Sequence, residues 1–104
     1  MKNMILQFVR NKKGKRRGVF VAGLNDDNLI VIGWSFCHNT KDEFKREKGL
    51  EIAVGRASKS ADMIYIPHGF KDETCSFIMR CKKYFKECYF KNELLNQHDI
   101  LINI

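Results

Sequence analysis

Four thiols and three imidazoles in this 104-residue chain could ligate a metal or act as nucleophile and base: Cys37, Cys75, Cys81 and Cys88, with His38, His68 and His98. Their spacing supports neither chemistry. Zinc sites are built from C-x₂₋₄-C and H-x₃₋₅-H pairs, and the chain has neither. At roughly 100° per residue, Cys75 falls about 120° around a helix from Cys81. Cys81 and Cys88 share a helix face but stand about 10 Å apart along the axis, too far for a disulfide. Cys37 and His38 are neighbours, so on a strand they point to opposite faces and cannot form a thiolate–imidazolium pair. His68, in "PHG", or another histidine would have to come to Cys37 from elsewhere. The expectation is four reduced, mostly buried thiols, no metal, no cofactor and no catalytic residue. Asp26 and Asp27 read as part of a turn rather than an acid–base pair. The phosphate loop G-x-x-x-x-G-K-[ST] is absent.

The chemistry that the sequence does support is the binding of anions. Arg10, Lys12, Lys13, Lys15, Arg16 and Arg17 place six cations in eight residues. With Lys2, the first twenty residues hold seven bases and no acid, whereas residues 21–104 hold twelve of each. The whole net charge of +7 therefore belongs to the N-terminal fifth. Such polarity points to an anionic partner there: nucleic acid, an acidic protein surface or a membrane surface. Lys and Arg on a loop reach several phosphates and release their counterions. Phe8 and Phe20, at the ends of the flanking strands, are available either as core residues or as platforms for stacked bases. Lys82, Lys83 and Lys86, together with Arg80, extend this footprint or form a solvated helix face.

The elements that carry these residues are legible from periodicity. "MILQFV" (4–9), "GVFVAGL" (18–24) and "LIVIGW" (29–34) are short, β-branched or aromatic runs separated by Gly, Asn and Asp. They predict a three-strand meander, with the basic segment as the first connection and "NDDN" (25–28) as a tight turn. "TKDE" (40–43) has the form of a capping box with Thr40 as N-cap, predicting a helix over about 41–58. Leu50, Val54, Ala57 and Ala61 form its narrow apolar face. Trp34 is expected to plug the core. Ser35, Asn39 and Thr40 lie where the amide groups of a helix start could hold an anion. Arg56 is expected as a buried arginine pairing with Asp42 or with the strand ends. "DMIYIP" (62–67) reads as a fourth strand and "DILINI" (99–104) as a last strand or a frayed end. "DETC" (72–75) opens a second helix with acids in its first turn, and Phe77, Ile78, Cys81, Tyr84, Phe85, Cys88 and Tyr89 form its apolar stripe. The predicted fold is a single α+β domain over residues 1–104: an antiparallel sheet of four to five strands with two helices packed on one face.

Composition sets the bounds. The chain is 44% hydrophobic and 12% aromatic with one proline, too apolar for disorder. No run approaches the roughly 20 apolar residues of a membrane span, and the opening apolar stretch is cut off by charge before a signal-peptide core can form. The expected location is cytoplasmic.

One segment carries a resemblance. Gly18, Val19, Val21 and Ala22 are followed by Ile32, Gly33, Trp34, Ser35 and Cys37, by Asp42 and Phe44, and by Gly49, Leu50, Ile52, Ala53, Gly55, Arg56 and Ala57. This pattern, over about residues 16–57, resembles small tailed-bacteriophage accessory proteins. The resemblance implies a phage or prophage protein at work in a bacterial host and brings no known activity. Two functions fit. One is a non-catalytic module that binds DNA or RNA through the basic loop. The alternative is an inhibitor of a host enzyme or of a CRISPR-type defence complex, with the loop docked on an acidic or nucleic-acid-binding surface. Nothing points to a small-molecule substrate or to a membrane partner.

Overall fold

The computed structural model describes residues 1–10, 12–37, 44–59 and 70–96. Within them lie β1 (Lys2–Arg10), β2 (Arg16–Leu24), β3 (Ile30–Phe36), α1 (Arg46–Lys59), α2 (Lys71–Tyr84) and a short 3₁₀ turn, Glu93–Asn96. The strands form an antiparallel sheet in the order β1-β2-β3. β1 pairs from Lys2↔Leu24 to Arg10↔Arg16, and β2 pairs from Gly18↔Phe36 to Leu24↔Ile30. The "NDDN" turn forms as its side chains demand. Asn25 Oδ1 accepts from the N–H groups of Asp27 and Leu29, both at 2.9 Å, and Asn28 takes a φ of 60°, which Asn tolerates better than most residues.

β2 decides the architecture. From Gly18 onward every residue of the strand is buried, and successive side chains leave opposite faces. Val19 and Val21 join Val31, Ala53 and Ala57 in one cluster. Phe20, Ala22 and Leu24 join Ile30, Phe77, Ile78 and Cys81 in another. The helices therefore cover opposite faces of the sheet, and both cores meet on β2. This corrects the expectation of two helices on one face, an arrangement that would leave one whole side of β2 in water. The expectation of four to five strands is corrected as well, since the described residues hold three. Beyond them stands one isolated parallel bridge, Ile30↔Phe90. The runs 62–67 and 99–104 lie outside the described residues, as do Thr40, Asp42 and the rest of the capping box.

The two faces are packed by different means. α1 lies almost directly on the backbone of β3. A Cβ on Gly33 would collide with the Ala53 carbonyl oxygen and lie 2.6 Å from the Ala57 nitrogen. The buried face of α1 is accordingly Gly49, Ala53 and Ala57, with Leu50 and Val54 half-buried beside it. On the other side α2 is held off by rings. Phe20 stacks on Phe77 (5.1 Å between centroids) and meets Phe36 and Trp34 edge-on (5.2 and 5.9 Å). Phe36 stacks in turn on Phe70 (4.5 Å). Thr74, fully buried, donates its hydroxyl to the Phe70 carbonyl. α2 stops at Tyr84, earlier than the apolar stripe suggests. Phe85 N–H closes on Cys81 O, and Glu87 turns the chain with φ 67°.

The chain then returns to β3. Ile30 N–H donates to Tyr89 O and Lys91 N–H to Ile30 O. The Phe90 peptide groups thus face away from β3, and Asn96 meets both: its Oδ1 accepts from Phe90 N–H and its Nδ2 donates to Phe90 O (2.8 and 3.0 Å). Among the described residues no helix is long and apolar enough to cross a membrane.

The Gly33 contact makes a sharp prediction. Gly33→Ala drives a methyl group into the α1 backbone and is expected to destabilise by about 1–3 kcal/mol. Gly55→Ala, on the exposed side of the same helix with nothing within 4 Å, should stabilise by roughly 0.5–1 kcal/mol through helix propensity. Urea denaturation of the two variants reads the opposite signs.

Candidate nucleic-acid interface

The basic segment is the tip of the β1–β2 hairpin. Pairing passes from Val9↔Gly18 to Arg10↔Arg16, so Arg17 is the extra residue of a β-bulge at the neck, a device that sharpens local twist. Its carbonyl accepts from Cys37 N–H (2.8 Å), which ties the neck to the end of β3. Gly14 has a φ of 81° and open space around it, the left-handed residue that the turn needs. Arg10 Nη1 donates to the Gly14 carbonyl (2.8 Å), so one cation folds back to shape the tip. Arg10, Lys12, Lys13, Lys15 and Arg16 are exposed and Arg17 is half-buried.

At the base of the hairpin, on the α1 side of the sheet, stands Phe8. The Arg16 guanidinium lies 4.3 Å from its ring centre, and that of Arg46, the first residue of α1, lies 5.8 Å away. Phe44 meets the same ring edge-on at 6.4 Å. Phe20 is fully buried and has no face for a nucleobase, as its core reading requires. Phe8 is half-buried against the α1-side core, with cations over its ring and Phe44 at its edge. Arg46 is the residue that sequence reasoning passed over. It sits in "KDEFKREKGLE", where acids balance bases and no charge excess marks it. The local signal that was available is Phe44 five residues before Gly49, whose missing side chain admits the Phe44 ring: a Cβ there would stand 2.5 Å from Cζ.

Lys82, Lys83 and Lys86 are exposed but far from this site. Phe70, just before α2, stacks on Phe36, which pairs with Gly18 at the hairpin end of the sheet. The chain after α2 bonds to Ile30, which pairs with Leu24 at the opposite end. α2 therefore runs away from the hairpin, and its last turn lies at the other end and on the other face. Arg80 reaches β1 instead, donating to Leu6 O and Gln7 Oε1 (3.1 and 3.2 Å).

The residues expected in structural roles divide. Trp34 is half-buried in the ring layer over α2. Arg56 is exposed rather than buried, yet its Nη1 donates to Trp34 O (2.8 Å), joining α1 to β3. Ser35 is buried at 7% exposure. Thr40 and Asp42 lie outside the described residues, as do the three histidines.

No protein-family model matches this chain, and no curated protein or solved structure is significantly similar to it. The geometry of the site has to speak for itself. It offers charge and guanidinium forks on a projecting hairpin, an arrangement suited to holding phosphates in position and not to reading bases.

None of the four cysteines is in a disulfide, and among the described residues no three metal-ligating side chains converge. Cys81 is fully buried under the sheet, and burial pushes its thiol from the ordinary 9.0 up to about 12, with Arg80 pulling weakly the other way. A group with a raised folded-state pKa contributes its stability in full below the unfolded value and loses it as pH climbs toward the folded value. Stability should therefore fall between pH 9 and about 12, by up to about 1.4 kcal/mol per unit from this thiol. Denaturation across that range should show a shallower slope for Cys81→Ala than for the wild type.

Proposed function

We propose that this chain is a non-catalytic accessory protein of a bacteriophage or prophage that binds nucleic acid through its β1–β2 hairpin. The observation that carries the reading is the gathering of six cations at a hairpin tip and its neck, beyond a body whose two sheet faces are both covered by helices. A two-stranded ribbon of this kind is narrow enough to enter a major groove. Five of its six bases are exposed, its turn is shaped by Arg10, and its bulge anchors it to β3. With Phe20 buried and cations over the Phe8 ring, binding runs through phosphates. Affinity is then strongly salt-dependent and sequence preference weak. The phage origin rests on the resemblance over residues 16–57.

The test is a titration of labelled duplex and single-stranded DNA and RNA by fluorescence anisotropy, from about 50 to 300 mM salt. The wild type should bind duplex with a log–log slope of about −3 to −5, which is roughly a thousandfold loss across that range at a slope of −4. Changing Lys12, Lys13, Lys15, Arg16 and Arg17 to Ser should remove most of the slope. Neutralising Lys82, Lys83 and Lys86 together, at the far end of α2, should shift it by less than one phosphate contact, about 0.9. Flat curves for every nucleic acid would overturn the proposal and leave a host protein as the partner of the hairpin.

A further inference from the structure

We infer that Arg16 and Arg46 form a clamp for a single phosphate group, built on the ring of Phe8. The inference deepens the nucleic-acid reading and rests on it for the source of that phosphate, a phosphodiester of the backbone.

Two elements distant in sequence converge on one ring. Arg16 enters from the neck of the hairpin and Arg46 from the start of α1, at 4.3 and 5.8 Å from the ring centre. Each lies in the range of a cation–π contact with the same ring, so the two guanidinium carbons are separated by at most about 10 Å. Among the described residues no carboxylate is paired with either. Glu47 follows Arg46 on the helix but is exposed and joins neither guanidinium. Two like charges drawn to one ring repel each other, and an anion held by both offsets that repulsion. A guanidinium lying over a ring also keeps its N–H edge outward, where it can grip a phosphate with two parallel hydrogen bonds.

The ring itself is held in place. Phe44 packs its edge against Phe8 at an interplanar angle of 78°, and Phe44 occupies the slot that Gly49 leaves open in α1. Gly49, Phe44 and Phe8 therefore form a chain of contacts that ends at the two cations. Gly49 and Phe44 position and Phe8 carries, while Arg16 and Arg46 would touch the ligand. The tip residues reach further phosphates on either side.

Two measurements test the clamp. In the first, inorganic phosphate is titrated at constant ionic strength into protein labelled with ¹⁵N-arginine, and the Nε–Hε resonances are followed. Arg16 and Arg46 should shift together with one dissociation constant, and Arg16→Gln should abolish the Arg46 response. Independent shifts, no shifts, or equal shifts with chloride would overturn the clamp. In the second, salt slopes are measured on a duplex. Arg16→Gln and Arg46→Gln should each reduce the slope by about 0.9, and the double variant by no more than either, because both grip one phosphate. A double variant that loses about 1.8 would mean two separate phosphates, sinking the clamp while leaving nucleic-acid binding intact. If no nucleic acid binds but the paired phosphate response appears, the proposed function fails and the clamp stands for a phosphate from another source.

Discussion

The fold depends on a single strand being dry on both sides. β2 has no solvent face after Gly18, so each side of the sheet must be roofed, and the chain supplies one helix for each. That constraint is met by two unlike solutions. Over Val19, Val21 and Val31, small residues let α1 come down almost to the backbone, where dispersion contacts are dense and tolerance for added volume is low. Over Phe20, Ala22 and Leu24, a layer of rings fills the greater depth beneath α2: Phe20 stacks on Phe77 and Phe36 on Phe70, while edge-on contacts join Phe20 to Trp34 and Phe36 within the sheet. Gly33 on one side and Phe20 on the other are neighbouring positions of paired strands doing opposite things: one is empty so that a helix can approach, the other is large so that a helix can be reached.

The same constraint explains where the charge went. With both faces roofed and the edges partly engaged, by Arg80 at β1 and by the Phe90 segment at β3, a concentration of cations finds room at the end of a hairpin. The electrostatic strain of gathering them is modest. Two unit charges 10 Å apart in water repel by roughly 0.4 kcal/mol, and physiological salt screens over about 8 Å. A stable sandwich can carry that, and the exposed cations of the tip face solvent, where an external anion can reach them.

Much of this was legible in the residues. The three strands fall where β-branched and aromatic runs place them, and "NDDN" turns as Asn and Asp turn. The second helix begins at its acids. What misled was the meaning of continuity. "GVFVAGL" does not alternate, and a strand that does not alternate is covered on both faces. Read in that light, it separates the helices to opposite sides, which the expectation of a one-sided sheet did not. The apolar face of α1 was read through Leu50, Val54 and Ala57, which do pack on this core; the centre of the contact, Gly49 and Ala53, went unread because close packing there rewards smallness rather than hydrophobicity. In the site, the hairpin cations announced themselves through charge excess. Arg46 did not, since its neighbours cancel it and only folding brings it to Phe8. Lys82, Lys83 and Lys86 looked like an extension because sequence records charge and not which end of a helix faces which end of a sheet.

The pairing of Asn96 with Phe90 bears on how this protein keeps to itself. Sheets grow by addition at an edge, and a peptide unit that points outward with both hydrogen-bonding groups bare is the template for the next strand, including one from another molecule. At Phe90 that template has already been used, by a side-chain amide that imitates a peptide bond and carries no chain onward. A carboxamide in the place of a strand is a terminator: it satisfies the last rung of the ladder and offers no further rung to climb. A chain with such apolar β runs gains resistance to edge-to-edge pairing at this rung from one asparagine.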